Sequence, residues 1–144
     1  MESIHFFSEG IDFNINNKTQ IRRWLKSVIL QHTKKITSLN YIFTSDDYLL
    51  DINQKYLNHN TYTDIITFDQ STNPIRIEAD IYISIDRVHV NSKLLDTSFN
   101  EELHRVLIHG VLHLLGFKDK TATQKKEMRK KENHYLALRH NSIK

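Results

Sequence analysis

Arg76-Ile77-Glu78-Ala79-Asp80-Ile81-Tyr82-Ile83-Ser84 puts Ile77, Ala79, Ile81 and Ile83 at every second position. Side chains of an extended chain alternate between two faces, so the stretch reads as a β-strand with one face against a core. Just before it, residues 64–68 (Asp64-Ile65-Ile66-Thr67-Phe68) read as another strand. Its simplest partner is 76–84, across a loop that holds Pro74, the one proline of the chain. Further back, 46–57 reads as a helix with Leu49, Ile52 and Tyr56 turned inward, and 38–44 as a strand. Residues 19–30 carry Ile21, Trp24, Leu25, Val28 and Ile29 at helical spacing, an amphipathic helix whose tryptophan belongs to the core. Residues 4–8 read as a first strand, with Gly10 in the turn that follows.

Forward of Asp86 the chain turns helical. Ser98-Phe99-Asn100-Glu101 has the pattern of a capping box, and beyond Val106 the helix it starts is apolar nearly all round, as a buried helix is. Thr121-Ala122-Thr123-Gln124 opens a last, basic helix in the same way. The order β-α-β-α-β-β followed by helices predicts an α+β (α/β-like) domain, a small mixed four-stranded sheet packed with about five helices.

A chain of 144 residues is long enough for one core and short for two, so 1–144 is expected to be a single domain. Apolar residues make up 39% and charged residues 26%, the balance of a folded chain. The absence of cysteine excludes disulfides, cysteine-zinc modules and thiol catalysis. Met1-Glu2-Ser3-Ile4-His5 leads into no apolar run, and no stretch of about 18 apolar residues occurs, so a cytoplasmic protein with no membrane partner is expected. The net charge of +3 is unevenly spread: from 118 to 144 nine Lys or Arg stand against three acids, +6, which leaves −3 for residues 1–117. A positive end favours an anionic partner, nucleic acid foremost.

The basic end begins inside the stretch that speaks of chemistry, His109-Gly110-Val111-Leu112-His113-Leu114-Leu115-Gly116-Phe117-Lys118-Asp119. Residues four apart share a helix face, so His109 and His113 can grip one metal ion. Gly116 falls where that central helix would end, and the turn it permits can bring Asp119 back to the same ion. The spacing H-x3-H-x2-G-x2-D is metzincin-like with Asp in the last place. Two nitrogens and one oxygen leave a coordination position open, as catalytic sites do. In a zinc peptidase the residue after the first histidine is the glutamate that acts as general base. Here it is Gly110, which can do no acid–base work; it suits a close approach of another element or of a bulky substrate.

These residues resemble the YbeY family of endoribonucleases, whose hallmark is H-G-x-L-H-L-x-G-[YF]-x-H. Tyr62-Thr63-Asp64-Ile65-Ile66-Thr67-Phe68 is similar to its P-T-[DN]-V-L-S-F segment, and Ala79-Asp80-Ile81-Tyr82-Ile83-Ser84 to its G-D-I-x-I-S strand. The resemblance spans about 49–132. It implies a zinc-dependent endoribonuclease that hydrolyses single-stranded RNA in small-subunit rRNA 3′-end maturation and ribosome quality control. Its partners would be rRNA and the small ribosomal subunit, with no DNA expected. One Zn2+ would be held by His109, His113 and Asp119, which are also the expected catalytic residues.

Two positions depart from the family pattern. Asp119 stands where the family usually has His; a carboxylate is a competent zinc ligand but adds negative charge, which should make bound water less acidic. Leu57, after Tyr56, stands where the family generally carries an Arg associated with activity. Leucine cannot stabilise a phosphorane, so Lys55, Arg76 and Lys118 are candidates for binding the substrate in its place. The expected chemistry is polarisation of the scissile phosphate by zinc with water as nucleophile, or attack by the ribose 2′-OH. Asp64, Asp80 and Glu101 are candidate bases or supporting partners, and His59, in the loop before Thr63, could approach a substrate. His104 lies about 140° round the helix from His109 and should not join the site; His134 and His140 are expected to be exposed. The alternatives are a non-catalytic rRNA- or ribosome-binding factor with a structural zinc, and a metzincin-like metalloprotease.

Overall fold

The computed structural model describes residues 3–139, so His140 lies outside the described residues. In chain order they form β1 (Ile4–Ser8), α1 (Lys18–Gln31), β2 (Lys35–Thr44), α2 (Asp46–Leu57), β3 (Ile65–Asp69), β4 (Arg76–Ser84), α3 (Ile85–Leu94), α4 (Phe99–Leu114) and α5 (Ala122–Leu138). The strands make one sheet in the order β1-β2-β4-β3. β1, β2 and β4 run parallel; β3 is antiparallel to β4, with Ile65 opposite Ile83. This is an α+β fold, with the mixed four-stranded sheet and five helices that the periodicities predict. Parallel neighbours cannot be joined by a tight turn, and α1 supplies the crossover from β1 to β2.

Alternation on β4 works as read: Ile77, Ala79, Ile81 and Ile83 are all buried. They face α4, whose Leu103, Val106, Leu107, Val111 and Leu112 complete the core with Trp24, Leu25, Val28 and Ile29 of α1. Gly110 is the point of closest approach. A Cβ there would lie 2.8 Å from Ile81 Cδ1 and 3.1 Å from Ile65 Cδ1. The close approach foreseen for this glycine is made by the sheet. Because Ile81 is fully buried it has little room to retreat. Gly110→Ala is therefore expected to lose stability although alanine is the better helix former: overpacking costs about 1–3 kcal/mol and propensity returns about 0.5–1. The net loss of about 1 kcal/mol should lower the melting temperature by about 3 °C in a thermal scan; an unchanged or raised value would mean that the contact is soft.

The other face of β4 carries Tyr82, which meets Phe68 edge-on at 5.8 Å, and Phe68 in turn meets Tyr56 at 6.2 Å. Tyr56 was expected to point inward, but it is 70% exposed. Asn53, one turn after Leu49, fills the buried stripe of α2, and its Nδ2 donates to the Thr61 carbonyl at 2.9 Å. Periodicity places Tyr56 near that stripe, but the ring lies out in solvent, edge-on to Phe68.

Both expected caps are present in different degree. Ser98 accepts from the Glu101 N–H at 3.1 Å, whereas the Glu101 carboxylate pairs with Arg139 instead of closing the box. At α5 the box is complete: Thr121 Oγ1 accepts from Gln124 N, and Gln124 Oε1 accepts from Thr121 N, both at 3.1 Å. α5 is docked along α4 by Met128, Tyr135 and Leu136, and Trp24 Nε1 donates to the Tyr135 carbonyl at 2.9 Å. Among the described residues no helix is long and apolar enough to cross a membrane.

Candidate metal centre

α4 ends in a Schellman motif. Gly116 N–H donates to the His113 carbonyl and Phe117 N–H to the Leu112 carbonyl, both at 3.0 Å. Gly116 has φ +103, a conformation that an L side chain rarely adopts. The reversal folds 117–119 back over the last turn of α4, where His109 and His113 stand on one face.

His109 Nε2 and His113 Nε2 are 3.0 Å apart. Asp119 Oδ2 lies 3.3 Å from the first, and Oδ1 lies 3.6 Å from the second. Four-coordinate zinc with bonds of about 2.0–2.1 Å has ligand atoms about 3.3 Å apart at the corners of its tetrahedron. The separations here, two of them to different oxygens of Asp119, are close to those between neighbouring ligand atoms of one such ion. Two imidazole lone pairs aimed at each other at 3.0 Å repel unless a cation or a proton lies between them. The donor set fits a metal ion on its own chemistry, and these three residues form a group that could hold one.

Behind the triad lies a residue that the sequence reading did not single out. Glu132 of α5 is buried, and its Oε2 accepts from His109 Nδ1 at 2.7 Å. Its Oε1 accepts from Arg105 Nη1 at 3.1 Å. A carboxylate can only accept, so it fixes the proton of His109 on Nδ1 and leaves Nε2 free to coordinate. The signal was present: Glu132 lies on the stripe of Met128, Tyr135 and Leu136, an acid on the apolar side of an otherwise basic helix.

Burial disfavours a charged His109, but Glu132, with Asp119 and Asp64, outweighs it and holds the ring above the ordinary histidine range. Burial lowers His113, and the adjacent His109 lowers it further, so this ring stays neutral. Burial would raise Glu132, but His109 and Arg105 prevail and keep it below the usual carboxylate range. Burial raises the carboxyl of Asp64 above that range despite the pull of His109. Asp64 thus shares the electrostatics of the triad. Asp80 instead accepts from Asn40 Nδ2 at 3.0 Å, and Glu101 pairs with Arg139.

His113 also lines a groove of about 790 Å3 whose walls include Asn53, Leu57, His59, Tyr62, Ile65, Thr67 and Lys120. His59 therefore reaches the groove. The three lysine and arginine candidates do not line it. Lys55 is paired with Asp51 at 3.1 Å on α2, Arg76 borders an adjoining hollow of about 350 Å3, and Lys118 is exposed beside Asp119. The cation on the groove wall is Lys120. His104 is apart from the triad, bonded through Nδ1 to Arg139 at 2.9 Å, and His134 is exposed.

A family model described as endoribonuclease YbeY matches residues 4–139. A protein named endoribonuclease YbeY from Cytophaga hutchinsonii is 49% identical over 138 residues, covering 96% of both chains. One of the same name from Flavobacterium psychrophilum is 50% identical over 134 residues, 93% of this chain and 95% of the relative. A Thermotoga maritima protein solved in solution superposes with a TM-score of 0.64 at 25% identity, covering 92% of this chain and 86% of the other.

Proposed function

The chain belongs to the YbeY endoribonuclease family, and from that membership we propose a zinc-dependent endoribonuclease of single-stranded RNA, acting as one domain over residues 1–144. The observation that carries the reading is the convergence of three donors beside the groove: His109 and His113 Nε2 3.0 Å apart, with the Asp119 carboxylate oxygens 3.3 and 3.6 Å from them. A divalent cation held there supplies Lewis acidity and an activated water. The residues do the rest. His109 presents Nε2 because Glu132 holds the proton on Nδ1. Asp64, raised by burial, is the side chain best suited to hold or accept a proton close to the triad. Lys120 on the groove wall, Lys118 beside Asp119 and the basic face of α5 hold flanking phosphates without reading sequence. Lys55 and Arg76 are left to contacts outside the groove. The family resemblance supports a cytoplasmic role at the small ribosomal subunit, in 3′-end maturation of its rRNA and in ribosome quality control.

The test is cleavage of a single-stranded RNA by the purified chain before and after chelation, with zinc added back. Activity should vanish with the metal and return with it, and undiminished cleavage by metal-free protein would sink the proposal. Product ends separate the two nucleophiles, since a 2′,3′-cyclic phosphate would mean attack by the ribose hydroxyl. Leu57 on the groove wall, an apolar residue in place of a cation, favours one rival, a non-cleaving RNA-binding factor with a structural zinc. Salt-dependent RNA binding with no cleavage at any protein concentration would establish it. Gly110 still argues against a peptidase.

A further inference from the structure

The loop over 58–64 runs along the groove, and Tyr62 stands on its wall with 51% of its surface exposed. The ring is held from behind. The guanidinium carbon of Arg87 on α3 lies 5.2 Å from the ring centroid, and the hydroxyl makes a long contact of 3.4 Å with Asp47 Oδ1. Arg87 is itself fixed, since its Nη2 donates to Asp46 Oδ2 at 2.7 Å, and Asp46 Oδ1 accepts from the Ser84 hydroxyl at 2.7 Å. One face of Tyr62 is thus backed by an anchored cation, while half of its surface is open and the residue lines the groove.

The remaining lining indicates which part of an RNA this wall fits. Lys120 and Asp69 are its fixed charges, one of each sign, and they cancel. Leu57, Ile65, Ile66 and Leu114 add hydrocarbon. A channel for phosphates is lined with cations. A neutral, apolar wall with an aromatic ring suits the flat face of a base, and unpaired bases are held on such rings. Tyr62 and His113 line the same groove, so a strand lying in it can meet both the ring and the triad.

Building on the RNA-cleaving reading above, we infer that Tyr62, backed by Arg87, is a stacking platform for an unpaired nucleobase of the substrate. The test is fluorescence anisotropy of the full chain with a labelled 2′-O-methyl RNA hexamer, and with hexamers that carry one abasic residue at each position in turn. Tyr62→Ala should weaken binding about tenfold, and Tyr62→Phe should stay within about twofold. For the wild type one abasic position should cost about tenfold, and that penalty should disappear in Tyr62→Ala. The Phe variant keeps the ring and drops only the long hydroxyl contact, so it separates lost stacking from lost fold. Binding that is indifferent to Tyr62→Ala, as when the groove takes a peptide instead, overturns the platform alone. An abasic penalty that persists in Tyr62→Ala does the same. A wild type that binds no hexamer overturns the RNA reading and the platform with it.

Discussion

His113→Ala should remove the bound cation and the cleavage of single-stranded RNA in the same preparation. The triad offers one atom from each residue, and a three-point hold on the ion exists only while all three are present. Deleting a supporting partner of a metal ligand typically costs about 10–100-fold in affinity or activity. Deleting a ligand should cost more, since His109 and Asp119 alone leave the ion half exposed to water. The fold should survive. His113 is partly exposed, and its ring is already held below the ordinary histidine range by burial and by its neighbour. Circular dichroism should therefore match the wild type, with a stability change within about 1 kcal/mol for the metal-free chains. Metal content by elemental analysis, set beside cleavage of a labelled RNA, decides the matter. Full cleavage by a variant that carries no metal would break the link between triad and chemistry.

The second large effect is expected at Glu132→Gln, where size is conserved and charge is not. Glu132 accepts from two donors, His109 Nδ1 at 2.7 Å and Arg105 Nη1 at 3.1 Å. Glutamine has one acceptor oxygen, so its amide N–H groups must face one of those donors or force His109 to move its proton to Nε2. The first leaves a buried donor unsatisfied, at a cost of about 2 kcal/mol. The second points an N–H at the metal position. Zinc affinity should fall about 10–100-fold on either route.

The pH dependence carries the sharper signature. His109 is held above its unfolded value of about 6.5 mainly because Glu132 outweighs burial, so in the wild type protons begin to compete with the metal at a pH above 6.5. In Glu132→Gln that competition should begin at a lower pH. Stability of the metal-free chain follows the same sign. A raised histidine pKa contributes stability that is fully present below about pH 6.5 and is lost as pH rises through the folded value. The gap in melting temperature between wild type and Glu132→Gln should thus narrow as the pH rises above about 6.5. A gap that widens over that range would mean that His109 is not charged against Glu132.

What could be read in the chain beforehand was local. Alternation at Ile77, Ala79, Ile81 and Ile83 is a property of nine consecutive residues, and H-x3-H-x2-G-x2-D encodes helix face, helix end and reversal within eleven. The Schellman turn at Gly116 and the caps at Ser98 and Thr121 are local too. What escaped depends on residues far apart. Glu132 reaches His109 across 23 positions, only because Tyr135 and Leu136 dock α5 along α4. Spacing alone turns Tyr56 inward, yet Asn53 fills the stripe because its amide finds the Thr61 carbonyl. Lys55, Arg76 and Lys118 are equal candidates by sequence, and no local pattern says which basic residue a folded loop will bring to a groove. Lys120 is one residue past the motif, and only the reversal at Gly116 shows that it returns to the wall.

The acid that sets the proton of His109 arrives on the final helix, thirteen residues after the last of the three ligands. During translation the triad emerges from the ribosome first, with His109 still free to choose either tautomer. Commitment to one awaits the docking of α5 through Tyr135 and Trp24. Competence to hold metal is in this way tied to the arrival of α5: a chain that stops before Ala122 would carry all three donors and lack the acid that orients the first.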